Sequence, residues 1–387
     1  MNGDRSIRDR VGRFLTSNPG MVLVGLAIGI TAALLQRFGN PPNMGICVAC
    51  FERDIAGALG LHRLAAVQYI RPEVPGFVLG ALLAAAAFGR FRPRAGSAAI
   101  ARFFLGAFAT IGALVFLGCS WRVLMRLAGA DGNALVGLMG LVVGVGGGAY
   151  CHRVGYKLGP ARDMPIVAGL IMPLLMVLLL LLLVFEVSFG EGQAIFFSAK
   201  GVGAMHAPLW LSLGAGLLIG FLAQRTRFCT IGAFSDVLLI RDYRQATGVC
   251  ALVAGALAAN LVFGQFKPGF AGQPIAHSNH VWNFLAMALA GLAFSLAGGC
   301  PGRQLVLCGE GDGDAAVFVL GMIVGGALAH DLALAGVPDM VIEGVREVGG
   351  PGVHGKIAVA VGLAYCLTLG VAARMRAPSR RVPPTDW

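Results

Sequence analysis

The sequence predicts an all-α, polytopic membrane protein of about ten transmembrane helices, arranged as two inverted repeats with four short re-entrant half-helices. Three observations predict it. Of the 387 residues, 57% are hydrophobic and 13% charged; apolar runs of roughly twenty residues recur along the chain; and the second half of the sequence repeats the first. The 58 glycines fit helices that approach closely through small residues. The formal charge of +11 is spread over short basic clusters between apolar runs. That pattern belongs to membrane topology, so the expected surroundings are a lipid bilayer and no nucleic-acid partner is predicted.

Taken in order, residues 1–18 carry Arg5, Arg8, Arg10 and Arg13 ahead of an apolar run that reaches Leu35 without a cleavage signature. They read as a cytoplasmic segment before a retained first span. Spans are predicted to begin near Gly20, Pro75, Ala101, Ala134, Met164, Pro208, Thr247, Trp282, Ala315 and Lys356. Between some of them lie four cysteine-bearing segments, Met44 to His62, Gly118 to Gly129, Phe228 to Ile240 and Gly299 to Gly309. These are too short to span and too apolar for ordinary loops, which makes them the predicted re-entrant half-helices. The clusters Arg90, Arg92, Arg94, then Arg153, Lys157, Arg162, and the tail with Arg374, Arg376, Arg380 and Arg381 place both termini in the cytoplasm and the chain in the cell inner membrane. The predicted division is a first repeat over 19–188, a second over 189–375 and a basic tail over 376–387.

Sliding the sequence against itself by about 180 residues pairs Gly118, Cys119, Arg122, Asp131, Gly140 and Gly144 with Gly299, Cys300, Arg303, Asp312, Gly321 and Gly325. A shift one residue larger pairs Cys47 with Cys229 and Asp54 with Asp236. Five spans per repeat is an odd number, so the second copy enters the membrane upside down. Secondary transporters built this way bind their substrates near the midplane, where irregular backbone is tolerated because it lines a cavity.

Cys47, Cys119, Cys229 and Cys300 therefore head the predicted substrate pathway. A thiol is a weak donor and a soft acceptor, suited to touching a sulfur or selenium atom without gripping it. Cys50, Cys308, Arg122 and Arg303 are secondary candidates, the arginines as anion attractors or as ligands of helix-end carbonyls. Asp54 and Asp236 are expected to cap helices or pair with Arg53, Arg241 or Arg71; Asp131 and Asp312 read as helix caps. Cys151, Cys250 and Cys366 read as packing residues. The histidines have no metal-ligand spacing, and no phosphate-binding loop or hydrolase motif is present, so neither metal nor cofactor nor enzyme chemistry is predicted. The alternative is a membrane thiol-disulfide oxidoreductase using the C-x-x-C of Cys47 and Cys50.

The segments Gly39 to Asp54 (GNPPNMGICVACFERD), Arg225 to Asp236 (RTRFCTIGAFSD) and Gly298 to Arg303 (GGCPGR) resemble the YeeE/YedE membrane transporter family, over nearly the whole chain. The likeness is greatest to the YedE branch, described as selenium transporters, whereas the YeeE branch takes up thiosulfate through an hourglass of inverted repeats. The resemblance implies selenium or sulfur uptake, with Cys119, Cys229 and Cys300 as pathway thiols and Cys47 added by repeat symmetry. A soluble cytoplasmic thiol carrier protein is a conceivable recipient. The sequence departs from the pattern at Cys119-Ser-Trp-Arg122, where the other repeat has Gly-Cys-Pro-Gly, so the two half-sites need not be equivalent and Trp121 is placed to narrow one of them.

Overall fold

The computed structural model describes residues 10, 12–189, 192, 193 and 195–376. Most of the predicted cytoplasmic segment, with Arg5 and Arg8, and residues 377–387 of the basic tail, with Arg380 and Arg381, lie outside the described residues.

The first half contains α1 (Asn18–Arg37), α2 (Val48–Ala58), α3 (Glu73–Ala87), α4 (Ala99–Phe116), α5 (Ser120–Ala128), α6 (Gly132–Arg153) and α7 (Ile166–Phe185). The second contains α8 (Leu209–Thr226), α9 (Thr230–Ile240), α10 (Arg244–Val262), α11 (His280–Ala297), α12 (Pro301–Gly309), α13 (Gly313–Asp331) and α14 (Val353–Arg376). The protein is an all-α, multi-pass membrane protein. Among the described residues, nine helical stretches are long and apolar enough to cross a bilayer, counting α4 with α5, α8 with α9 and α11 with α12 as single stretches.

The tenth predicted span, near Pro75, is the 15-residue α3. At 1.5 Å per residue it covers roughly 22 Å, short of a hydrocarbon core of about 30 Å. The reason lies upstream: residues 68–72 run buried and non-helical into α3, held by Arg71, which donates to the carbonyls of Met205 and Val202 at 2.7 and 2.8 Å. That part of the crossing is backbone satisfied inside protein rather than by helix, as irregular backbone at this depth must be.

Both halves have the same order of long and short helices, so each element of the first corresponds to the element seven places later. The packing obeys the same exchange. Helix α1 lies along α10 as α8 lies along α3, and α4 lies along α13 as α11 lies along α6. Matched glycines sit on matched carbonyls. A Cβ added at Gly140 would lie 2.1 Å from the Phe284 carbonyl oxygen, and one at Gly321 would lie 2.1 Å from that of Phe103. Gly144 meets Ala288 and Gly325 meets Ala107 in the same way. Backbone pressed on backbone is how membrane helices gain dispersion contacts in the absence of a hydrophobic driving force. Gly144→Val is accordingly expected to lower the thermal midpoint of the detergent-solubilised protein, at a cost of about 1–3 kcal/mol from overpacking. Gly214→Ala, where an added Cβ meets nothing within 4 Å, should leave that midpoint in place.

Connections gather at two ends. At one, Arg94 and Ala95 pair antiparallel with Asp163 and Arg162, and the Arg92 and Arg94 amides donate to the carbonyls of Glu310 and Gly311 at 2.8 and 3.2 Å. The two arginine-rich loops predicted to share a face are thus paired, and the first of them meets the α12–α13 link. At the other, Gly132 N–H donates to Gly269 and Phe196 N–H to Ala58, each at 2.9 Å.

Candidate functional site

Each of the four short helices begins on a cysteine in extended backbone: Cys47 caps α2, Cys119 α5, Cys229 α9 and Cys300 α12. Three of them are reached by the same device. The preceding long helix ends on a left-handed residue, Leu117 (φ 65°), Arg227 (φ 58°) or Gly298 (φ 89°), and the cysteine follows two residues later. Only glycine adopts that conformation without penalty, so Leu117 and Arg227 each cost about 1–2 kcal/mol that surrounding packing must offset. Their presence marks breaks held in place by the fold.

The breaks bring the thiols into two clusters. Cys47 Sγ lies 2.8 Å from Cys50 Sγ and 3.7 Å from Cys119 Sγ. In the second cluster Cys229 Sγ accepts from the Cys300 amide at 3.2 Å. The Gly232 and Arg303 amides donate to Cys229 Sγ and Cys300 Sγ at 3.2 and 3.3 Å. All five thiols are buried and unlinked by disulfides. Helix amino ends with unsatisfied N–H groups favour negative charge, and here four of them converge with soft sulfur atoms at their tips.

The clusters are joined through the residues that follow the cysteines. Thr230 Oγ1 donates to Ser120 Oγ at 2.9 Å, connecting the first turns of α9 and α5. Trp121, fully buried, has its ring 5.7 Å from that of Phe77 and 5.6 Å from that of Phe228, both edge-on. Its indole N–H points to Cys300 Sγ at 3.5 Å. The residue at which the first repeat departs from its partner therefore spans both half-sites. Gly302 allows this, since an added Cβ would lie 2.7 Å from the indole. Gly302→Ala is expected to displace Trp121 at a cost of about 1–3 kcal/mol, read as an altered indole emission in a background with the other tryptophans replaced.

The two matched arginines behave differently. Arg122 is completely buried and donates to the Asn43 and Ile275 carbonyls at 2.8 and 3.0 Å and to Cys50 Sγ at 3.6 Å. It ties the first cluster to the backbone around it. Arg303 turns away from the second cluster into a cavity, with Nη1 3.5 Å from Glu310 Oε1. Cys308 joins neither cluster and lines a crevice against Met172 and Leu175 of α7. Asp54 pairs with Arg53 and Arg71. Asp236 takes a Gln245 amide at 3.1 Å instead of an arginine, because Arg241 sits in the left-handed turn that ends α9. Asp131 and Asp312 cap α6 and α13 and pair with Arg126 and Arg94.

Two features are absent from the expectations drawn from sequence. Glu52, two residues past the C-x-x-C, is fully buried with neither carboxyl oxygen hydrogen-bonded. An acid inside an otherwise apolar half-helix was the available signal. The second is the cavity of about 680 Å³ that Arg303 lines together with Arg90, Arg225, Arg227 and Arg244. Those residues come from the α3–α4 link, the end of α8 and the turn after it, the start of α10 and α12, which a linear pattern does not bring together.

Residues 225–386 match the family model described as sulphur transport. This stretch opens at the Arg-Thr-Arg-Phe-Cys229 turn and includes both thiols of the second cluster. The chain is also similar to the thiosulfate transporter TsuA of Spirochaeta thermophila, 33% identical over 108 residues, which make up 27% of this chain and 31% of the relative. It thus spans about a third of the length of the curated relative it matches.

Proposed function

We propose that the chain is an inner-membrane transporter of a small sulfur- or selenium-containing anion, passed along the thiols of its short helices. A selenium compound is the first candidate and a thiosulfate-like anion the next. One observation carries this reading: the capping cysteines of four short helices, two from each half, gather into the clusters Cys47–Cys50–Cys119 and Cys229–Cys300, joined through Ser120 and Thr230. Weak thiol contacts repeated along a dry path hold a soft anion briefly at each step, and the converging helix amino ends offset part of its desolvation. Residues 19–188 and 189–375 act as inverted repeats about this line, with both termini in the cytoplasm. The first cluster then faces outward and the second inward.

The adjacent sulfurs of Cys47 and Cys50 favour a second reading, thiol–disulfide exchange with an outside partner. Burial weighs against it, since both side chains are fully covered and exchange requires an incoming thiolate to reach one sulfur. A mixed disulfide trapped through Cys47 would restore it.

The deciding experiment is uptake of labelled selenite, selenide and thiosulfate into proteoliposomes, each competed by the other two. Saturable uptake of one species names the solute. No uptake of any by the wild-type protein removes the transport reading.

A further inference from the structure

The arginine-lined cavity lies where the links between α3 and α4, α8 and α9, and α12 and α13 meet, and Glu310 is the one carboxylate among its lining residues. The surplus of positive charge is not neutralised from behind. Arg92 pairs outward with Asp163, and Arg94 turns to Asp312. Arg90, Arg225 and Arg227 form no ion pair among the described residues, and the Arg244 guanidinium donates to the Thr16 carbonyl while its amide donates to Asp242 Oδ1. Arg225 is held by stacking 4.0 Å over the Phe88 ring, and its buried Nε has no hydrogen-bond partner. Arg303 Nη1, also buried, makes none either, with Glu310 left at 3.5 Å. Several guanidinium groups forced together around polar space, with buried donors left open, is the arrangement that an oxyanion completes.

The cavity also belongs to the second thiol cluster. Arg225 and Arg227 sit in the turn that leads to Cys229, and Arg303 follows Cys300 in α12. In the first half the matching Arg122 instead spends its donors on two carbonyls and a thiol. The two ends of the thiol row are therefore chemically unequal.

We propose that this cavity is an oxyanion-binding site, engaging one tetrahedral oxyanion through Arg225 and Arg303 at the mouth of the Cys229–Cys300 cluster. The proposal rests on the transport reading for its occupant, the solute itself, and on the cavity alone for its chemistry. A phospholipid headgroup shares that chemistry, so the test separates the two.

The test is equilibrium binding of radiolabelled thiosulfate and sulfate to the purified full chain in nanodiscs, first of phosphatidylcholine alone and then with phosphatidylglycerol. Wild type is expected to bind in both, more weakly as salt rises. Arg225→Gln/Arg303→Gln is expected to weaken binding by roughly tenfold or more. Arg63→Gln/Lys200→Gln, which removes the same charge at the other end of the protein, should bind as wild type. Gel filtration confirms that each variant is folded. Equal binding by wild type and the Arg225/Arg303 variant overturns the proposal. So does binding that vanishes in phosphatidylglycerol discs while wild type, and not the variant, retains that lipid through purification; the occupant is then a headgroup. Because binding is read without transport, a protein that transports nothing can still pass this test, and one that transports through its thiols can fail it.

Discussion

Cys300→Ala is expected to reduce solute uptake by about 10- to 100-fold at equal membrane abundance, and Cys119→Ala to do the same. The size follows from the contact that is lost. A hydrogen bond to a charged group is worth about 1.5–3 kcal/mol, and about 1.4 kcal/mol corresponds to a factor of ten. The substitution itself is mild, because the side chain is small. Its sulfur accepts from the Arg303 amide and the Trp121 indole, so removal leaves two donors open and shifts the thermal midpoint by a few degrees at most. Cys308→Ala supplies the comparison. That thiol is equally buried and sits on the same short helix, but faces the α7 crevice, so uptake should stay at the wild-type level. Cys300→Ser keeps a donor and loses the soft atom, and should fall between the two. If Cys300→Ala and Cys308→Ala transport alike, thiols do not line the path and the clusters are packing.

The contrast between Cys300 and Cys308 also shows where reading the sequence stops. All ten predicted spans begin within three residues of an observed helix, because a bilayer imposes one length and one composition on each. Each of the four cysteine-bearing segments contains one short helix, and the repeat singles out the thiol that caps it. Self-comparison cannot say which way a side chain points once the helix is built. It left Cys50 and Cys308 as equals, and the fold puts one against Cys47 and the other on a remote face. It also matched Arg122 with Arg303, which end in a tied interior position and in an open cavity. What decides these cases is the neighbour each side chain meets: Asn43 and Ile275 from other links beside Arg122, and Glu310, the C-cap of its own helix, beside Arg303. Asn43 and Ile275 come from links that are longer than their counterparts in the other half, and Glu310 stands where the first half has Gly129.

Asp54 and Asp236 carry the same divergence into stability. Asp54→Asn is expected to cost about 3–5 kcal/mol, the range for breaking a buried ion pair by removing one partner. Its carboxylate accepts from Arg53 Nε and Nη2 at 2.9 and 2.6 Å and from Arg71 Nε at 2.7 Å. The Asp54 and Arg71 side chains are fully buried and that of Arg53 nearly so. Neutralising it leaves two guanidinium groups facing each other without an anion. The damage extends beyond α2, because Arg71 also holds the Val202 and Met205 carbonyls and so fixes the non-helical part of the α3 crossing to the link before α8. Loss of most of the monodisperse protein on extraction is the expected readout, with Arg71→Met behaving likewise. Asp236→Asn, at the matching place in the other half, should change stability by less than about 1 kcal/mol, since that carboxylate is half-buried and meets a neutral amide that asparagine can still engage. Equal losses at both positions would mean that the burial of the charge network does not govern the cost. A loss confined to Asp54 would tie the rigid backbone around the first thiol cluster to one carboxylate, and explain how α2 can present Cys47 and Cys50 at the tip of a helix only 11 residues long.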